Sequence, residues 1–580
     1  MKLYNKLPPL IVYVFFLWFI LTSININKAF HIDDTFHLEA AEWIRNNPLK
    51  PMSGLINWGD QKEAIYEFNQ PPLFFYFVSL SLTIFGDSEI FLHLFFSIFT
   101  FIALLFFSKL SNFLKVRSPF LLLTIFAFCP AFIVNQNLMT DVPILAISLV
   151  VMYCLLKGQN RDSFKYYLLS SIILSIGLLI KYTLLPLLLV ILITILATGK
   201  FKKSVVVVVP LVVLLIWSIW NLFEFNFIHL FFRTTSISGL NQNNILAFMA
   251  TLGAVTIITV VYIYNLIPSK ITSLLIISSS AFFLLLIPLV YFDIIKEARF
   301  NSLLNYIFII NGTLLTLLIC YQVIHSLISQ RENFLRSPFF SLALYIIGVS
   351  AFIVLFAPFN ATRHVLLLIP FILLFGHTFL ERTPTIINTI MVITTIIVGL
   401  LLGISDWLYA DFYRKNSQNL SFKNQKVWSI GHWGWQWYSK KTGMIIYSEE
   451  EEFNIREGEI IIIPKDVSSQ KLSKDIQLDT IQFITETPTF FTFFSGKNFA
   501  SMYNSFRDKP SWSLSKMPID TIFICQVTKE LEIEDIVNRI KSDDKRLFEM
   551  KNKALNKGIS FDSLLMMEAT RALDKKRNSK

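Results

Sequence analysis

Charge is what this sequence has little of. Only 16% of its 580 residues are Asp, Glu, Lys or Arg, against 54% hydrophobic, whereas a soluble domain carries about 25% charged residues. That shortage excludes an ordinary soluble enzyme and predicts a polytopic α-helical membrane protein. Cysteine is scarce too: Cys129, Cys154, Cys320 and Cys525 are scattered, three of them in apolar runs. Without a C-x-x-C or a close, even spacing, neither a disulfide framework nor a zinc site is indicated. Internal repeats and low-complexity linkers are also missing. The net charge of +11 does not imply a nucleic-acid partner, because the basic residues lie between apolar runs, as cytoplasmic loops require.

Long apolar runs are what the chain has instead. A membrane-crossing helix needs roughly 20 apolar residues, and about thirteen runs approach that length. They lie near 8–26, 87–108, 119–137, 142–157, 166–180, 183–198, 204–222, 245–265, 271–292, 303–327, 338–357, 363–380 and 384–404. Lys2 and Lys6 before the first run resemble a signal peptide. The run is too long for a typical signal core and has no small-x-small cleavage pattern, so it counts as the first span.

The Lys and Arg bias sets the orientation. With a cytoplasmic N-terminus, the even-numbered connections fall inside and hold Lys109, Lys115, Arg117, Lys157, Arg161, Lys165, Lys200, Lys202, Lys203, Lys270, Arg331, Arg336 and Arg382. The opposite, extracytoplasmic face then receives Asp33, Asp34, Asp141, Lys181, the 223–244 loop, the 293–302 loop, Arg363 and everything after about 405. The expected location is the cell (inner) membrane, with the site on the periplasmic side.

The first outer loop, 27–86, is long. It carries the adjacent acids Asp33 and Asp34, then Glu39 and Glu42, then Asn69-Gln70-Pro71-Pro72-Leu73. The proline pair can open a helix. The apolar stretch 73–85 is too short to span and is expected in the interface or within the protein. Beyond 405 charge returns and apolar runs shrink to strand length, near 426–431, 444–447, 459–463 and 521–526, which predicts a small α/β domain. The division expected is a membrane module over 1–404, an extracytoplasmic α/β domain over 405–528 and a charged tail of two helices over 529–580.

Acid at a membrane boundary is costly unless it is solvated or paired. Asp33 and Asp34 repel each other, which favours holding one proton, as a general base or acid needs. Their alternative reading is plain solvated loop. Asp141, between two helices that turn tightly, is either a helix cap or a second acid of the same site, as a two-carboxylate or metal-assisted reaction requires. Lys181 and Arg363 are basic residues on the face where the charge rule expects few. Phosphate contact accounts for both; snorkelling to lipid headgroups is the duller account. His229 and Arg233, in the 223–244 loop, are weaker candidates, since a lone His is more often structural. Trp428, His432, Trp433, Trp435, Trp437 and Tyr438 could stack on sugars, but the core of a small domain explains them more simply.

These motifs resemble, in order, those of the protein O-mannosyltransferase and aminoarabinose-transferase group of the GT-C superfamily. The Asp-Asp pair after the first span, Gln70-Pro71-Pro72-Leu73, Gly86-Asp-Ser-Glu, Asp141-Val-Pro, Gly177 to Lys181, and Arg363-His364 ahead of Pro370 carry the resemblance. It covers roughly 1–405 and implies a GT-C fold and an inverting transferase. The donor implied is a polyprenyl-phosphate-linked sugar; the acceptor is a lipid, glycan or protein. Asp33 would be the base, with Asp34 in support. Where the aminoarabinose-transferase pattern has Glu-Lys before the prolines, this chain has Asn69-Gln70. Gln70 therefore holds the donor-binding position without a charge, and the phosphate role shifts to Lys181 or Arg363. No cofactor is required by the pattern, and a divalent metal is left open. The alternatives are a flippase for lipid-linked glycans, which would show symmetric broken repeats, and an O-antigen-ligase-like enzyme, which would concentrate Arg and His in one large late loop.

Overall fold

The computed structural model describes residues 9–577 except 69, 233–240, 268–269, 421, 423–424, 487, 489–490, 495–501, 504–509, 543 and 558. The chain forms two compact units. One comprises 1–54, 64–411 and 487–519; the other comprises 55–63, 412–486 and 520–580. Each unit thus takes in a segment remote from the rest of its chain.

The first unit is helical. Among the described residues six helices are long and apolar enough to cross a membrane: Glu89–Phe113, Asp141–Arg161, Phe201–Phe225, Glu297–Ser329, Pro338–Phe356 and Thr385–Asn419. The pair Gln242–Val255 and Thr259–Leu266 is long and apolar enough only when taken together, and it is bent by 91° at its break, the geometry of a broken span or a re-entrant loop. Shorter apolar helices include Leu10–Asn25, Leu73–Phe85 and Phe164–Leu178. Several expected spans are thus interrupted. The run 119–137 divides into Pro119–Ala127 and Pro130–Val134, because Pro130 lacks the N–H that would continue the first helix. The run 363–380 becomes Thr362–Leu366, Ile369–Phe375 and His377–Arg382, with Pro370 in the first turn of its second piece.

The bent pair has its own support. The Asn311 side chain donates to the carbonyls of Gly253 and Thr256 at 2.8 and 2.7 Å, and the Trp512 indole donates to Ala254 O at 3.0 Å. Carbonyls released by the break therefore stay satisfied, as a low-dielectric setting demands. Gly253 and Gly312 let helices Gln242–Val255 and Glu297–Ser329 approach backbone to backbone: a Cβ on either would strike the facing main chain, at Phe308 O or Met249 O.

The helix Asp34–Asn46 carries the first loop. Phe36, Ala40, Ala41 and Ile44 recur at helical spacing and are buried, while Glu42 is exposed. The helix Leu73–Phe85 has 13 residues, or about 20 Å of rise, with Phe74, Phe75 and Val78 fully buried.

The second unit contains a five-stranded mixed sheet. Its strands are β3 (Val427–Ser429), β4 (Ile445–Ile446), β5 (Ile460–Pro464), β6 (Gln477–Thr485) and β7 (Thr521–Lys529), in the order β4-β3-β5-β7-β6. β3 is parallel to β4 and β5, and β7 is antiparallel to β5 and β6. β6 was not anticipated; it is an edge strand with a mostly exposed surface and no apolar alternation. The hairpin of β1 (Leu55–Asn57) and β2 (Lys62–Ala64), drawn from the first loop, lies largely in this unit. Asn57 ties it in: its side chain donates to Tyr447 O at 2.8 Å, and its carbonyl accepts from Gln436 Nε2 at 2.9 Å. Trp428, Trp435, Trp437 and Tyr438 are buried, so the aromatic cluster builds the unit's interior. The charged tail has three helices instead of two, Ile533–Ser542, Asp544–Lys557 and Phe561–Arg577.

Candidate functional site

The site begins at the turn between the first helix and Asp34–Asn46. Ile32 has φ +50°, a left-handed conformation that costs a β-branched residue about 1–3 kcal/mol. Two reciprocal bonds hold it. His31 N donates to Asp34 Oδ2 at 3.0 Å, and Asp34 N donates to His31 O at 3.1 Å. The turn sends the two acids different ways. Asp34 is fully buried, and burial pushes its carboxyl up to about 8, against the opposing pull of the His31 N–H and the Lys28 charge. Asp33 keeps 23% of its side chain exposed and meets Arg363, with Nη1 to Oδ2 at 2.5 Å.

Arg363 lies in the short helix Thr362–Leu366. Its Nη1 also approaches Met139 Sδ at 3.4 Å, and its guanidinium lies 5.7 Å from the Phe359 ring centroid. It is within electrostatic reach of Asp33 and Asp141. Asp141 is the first residue of the helix Asp141–Arg161, whose N-cap position is held by Thr140, and it pairs with Lys181 at 2.8 Å. His364 stands within reach of Lys181, Arg363 and Asp141. Two acids and two cations from four remote parts of the sequence therefore form one cluster.

The remaining candidates fall elsewhere. Gln70 Oε1 lies 3.1 Å from His37 Nε2, and His37 Nδ1 donates to Leu138 O at 2.7 Å. Burial lowers His37 below its ordinary value, and its ring, on the Asp34–Asn46 helix, sits between Leu138 O and the Gln70 side chain. His229 is buried; its Nε2 faces Phe68 O at 2.8 Å and its Nδ1 faces Tyr182 Oη at 3.1 Å. That geometry fastens the first loop beside Lys181. Arg233 lies outside the described residues.

Beneath Asp33 is a second cluster that the sequence reading missed. Lys28 and Asp406 are both fully buried and paired at 2.5 Å, and Lys28 also donates to Val134 O at 3.0 Å. Tyr503 donates to the Asp406 carboxylate at 2.9 Å and accepts from Asn137 Nδ2 at 2.8 Å. Burial first, then the Asp406 charge, raise the Tyr503 phenol well above its ordinary value, so it stays a donor. His31 lies edge-on to Tyr409 and Tyr503, with centroids at 4.7 and 5.1 Å. The available signal was a charge inside each apolar flank, Lys28 after the first run and Asp406 after the last.

Among the described residues no group of three or more His, Cys, Asp or Glu side chains is placed to hold a metal ion. Both acids that could begin such a set are engaged by cations. The described residues therefore offer no set of ligands that would hold a metal ion.

Residues 69–221 match the family model of dolichyl-phosphate-mannose-protein mannosyltransferases. Over that segment the chain is similar to a family of membrane glycosyltransferases. No curated protein matches the chain. Among solved structures, the oligosaccharyltransferase of Archaeoglobus fulgidus tethered to an acceptor peptide aligns at 12% identity and a TM-score of 0.43, covering 75% of this chain and 64% of its own. The chain thus spans just under two thirds of that enzyme. ArnT of Cupriavidus metallidurans bound to undecaprenyl phosphate aligns at 14% identity and a TM-score of 0.39, covering 78% of this chain and 92% of its own.

Proposed function

We propose that this protein, whose residues 69–221 match the mannosyltransferase family model, is an inverting glycosyltransferase. In this reading it moves a sugar from a polyprenyl-phosphate carrier to a lipid, glycan or protein acceptor on the extracytoplasmic side. The observation that carries the reading is the cluster in which Arg363 pairs with Asp33, Lys181 pairs with Asp141, and Arg363 stands within reach of both acids.

Each cation neutralises one acid. The donor phosphate brings its own negative charge and competes for Arg363 and Lys181. As Arg363 turns to the phosphate, Asp33, partly open to the surroundings, becomes available to the acceptor. The acceptor hydroxyl oxygen bonds to the anomeric carbon from the face opposite the phosphate, and its proton passes to the Asp33 carboxylate. The bond from the anomeric carbon to the phosphate oxygen breaks, and the electron pair leaves with polyprenyl phosphate. Arg363 and Lys181 stabilise that developing charge, and a single displacement inverts the anomeric centre. Asp34, buried and protonated, shapes the turn.

An apolar groove of about 470 Å³ supports a lipid carrier. Pro72, Leu73, Tyr76, Leu179, Trp217 and Trp220 are among its walls. It adjoins the cluster through the chain: Leu179 precedes Lys181 by two residues, and the Trp217 indole donates to the Tyr182 hydroxyl at 2.8 Å. Its size suits a bound lipid segment. The test is lipid and glycan profiling of a deletion strain. One envelope structure should lose one sugar, while its polyprenyl-phosphate sugar accumulates. Unchanged profiles would sink the reading.

A further inference from the structure

The segment 487–519 lies between β6 and β7 in the sequence, yet it belongs to the helical unit. Its residues Met502 and Tyr503 are buried there. The Met502 carbonyl accepts two bonds from one residue, Thr362 N at 3.0 Å and Thr362 Oγ1 at 2.8 Å. Thr362 starts the short helix whose next residue is Arg363. Tyr503 holds Asp406 and Asn137, and its ring meets His31. Each of these partners leads to the site. His31 lies two residues before Asp33, and Asn137 lies two before Met139, which touches Arg363. Asp406 fixes Lys28, five residues before Asp33.

We propose that Tyr503, with the Met502 carbonyl, is a positioning strap that holds Arg363 against Asp33. The inference rests on the phosphate reading of Arg363 for its functional consequence. The physical need is clear from the lengths involved. The helix Thr362–Leu366 has five residues, too few to fix its own orientation through internal bonds. A shift of about 1 Å in a reacting or binding group is enough to cost a large factor in rate. The strap supplies the external bonds that set where this helix begins. Because it enters from the β6–β7 connection, the C-terminal part of the chain contributes directly to the membrane site.

The test uses the full-length protein in detergent with undecaprenyl phosphate as the probe. Tyr503→Phe removes one hydroxyl, and Thr362→Val removes one of the two bonds to Met502. Either change should speed amide hydrogen exchange in a peptide covering 361–366, with exchange in 338–356 unchanged. Each should also weaken probe affinity about three- to tenfold, the scale of one lost hydrogen bond. In an Arg363→Ala background neither change should weaken affinity further. Unchanged exchange at 361–366 in both variants overturns the strap. So does an affinity loss of the same size with and without Arg363, since the strap then acts elsewhere. If Arg363→Ala alone leaves probe affinity at the wild-type value, the phosphate reading fails instead, and exchange at 361–366 still decides the strap. Should Tyr503→Phe not fold, Thr362→Val carries the same comparison.

Discussion

Asp33 and Asp34 are chain neighbours with opposite surroundings. Asp33 reaches Arg363 and keeps 23% of its side chain exposed, while Asp34 is wholly buried and bonded to the His31 amide. Both follow the left-handed Ile32, and each side chain takes its own partner. Two acids that look equivalent in sequence are therefore a candidate base and a structural acid.

Asp34 should leave a signature in stability against pH. Its folded value of about 8 lies above its unfolded value near 4. Between those limits the folded form holds a proton that the unfolded form has lost, so stability falls as pH rises from about 4 to 8. Asp34→Asn removes that fall. Melting of the wild type should drop relative to Asp34→Asn as pH goes from 5 to 8, and parallel curves would contradict the burial account.

Lys181 and Asp141 should behave as a pair. Lys181→Ala leaves Asp141 buried without its partner, at a cost of about 3–5 kcal/mol. Adding Asp141→Asn should recover most of the lost melting temperature. Affinity for undecaprenyl phosphate should stay low in the double variant, because the cation is still missing. Recovery of both would make the pair purely structural.

The same logic applies to Lys28 and Asp406, whose roles carry no chemistry in this account. Lys28→Met or Asp406→Leu alone should destabilise by about 3–5 kcal/mol, and the double variant should be milder than either. Melting curves of the three variants in detergent decide the point.

Gly253 and Gly312 should tolerate no added carbon. Alanine at either forces two helices apart at their backbones, which should cost about 1–3 kcal/mol or more. A lower melting temperature, with probe affinity per folded molecule unchanged, is the expected outcome.

Much of this arrangement was legible in the sequence because it is local or charged. Apolar run length located the helices, and the basic-residue bias grouped Asp33, Asp141, Lys181 and Arg363, which the structure brings together. Four kinds of feature were hidden. Breaks at Pro130 and Pro370 lie inside runs whose overall hydropathy does not change. Tyr503 and Asp406 are 97 residues apart and Lys28 and Asp406 are 378 apart, so only the folded chain pairs them. β6 escaped because an edge strand need not alternate. The left-handed turn at Ile32 escaped because a β-branched residue there defies local preference, and the His31 and Asp34 bonds that enforce it are visible only in the fold.

In the proposed mechanism Asp33 is the base that takes the acceptor's proton. The most direct measurement is complementation of a deletion strain with wild-type protein and with Asp33→Asn, matched for membrane insertion, reading the sugar added to the envelope acceptor. Loss of a general base costs about 10²–10⁴ in rate, so the variant should restore no detectable sugar, while its purified form still binds undecaprenyl phosphate. Restoration of the wild-type profile by Asp33→Asn would contradict the account.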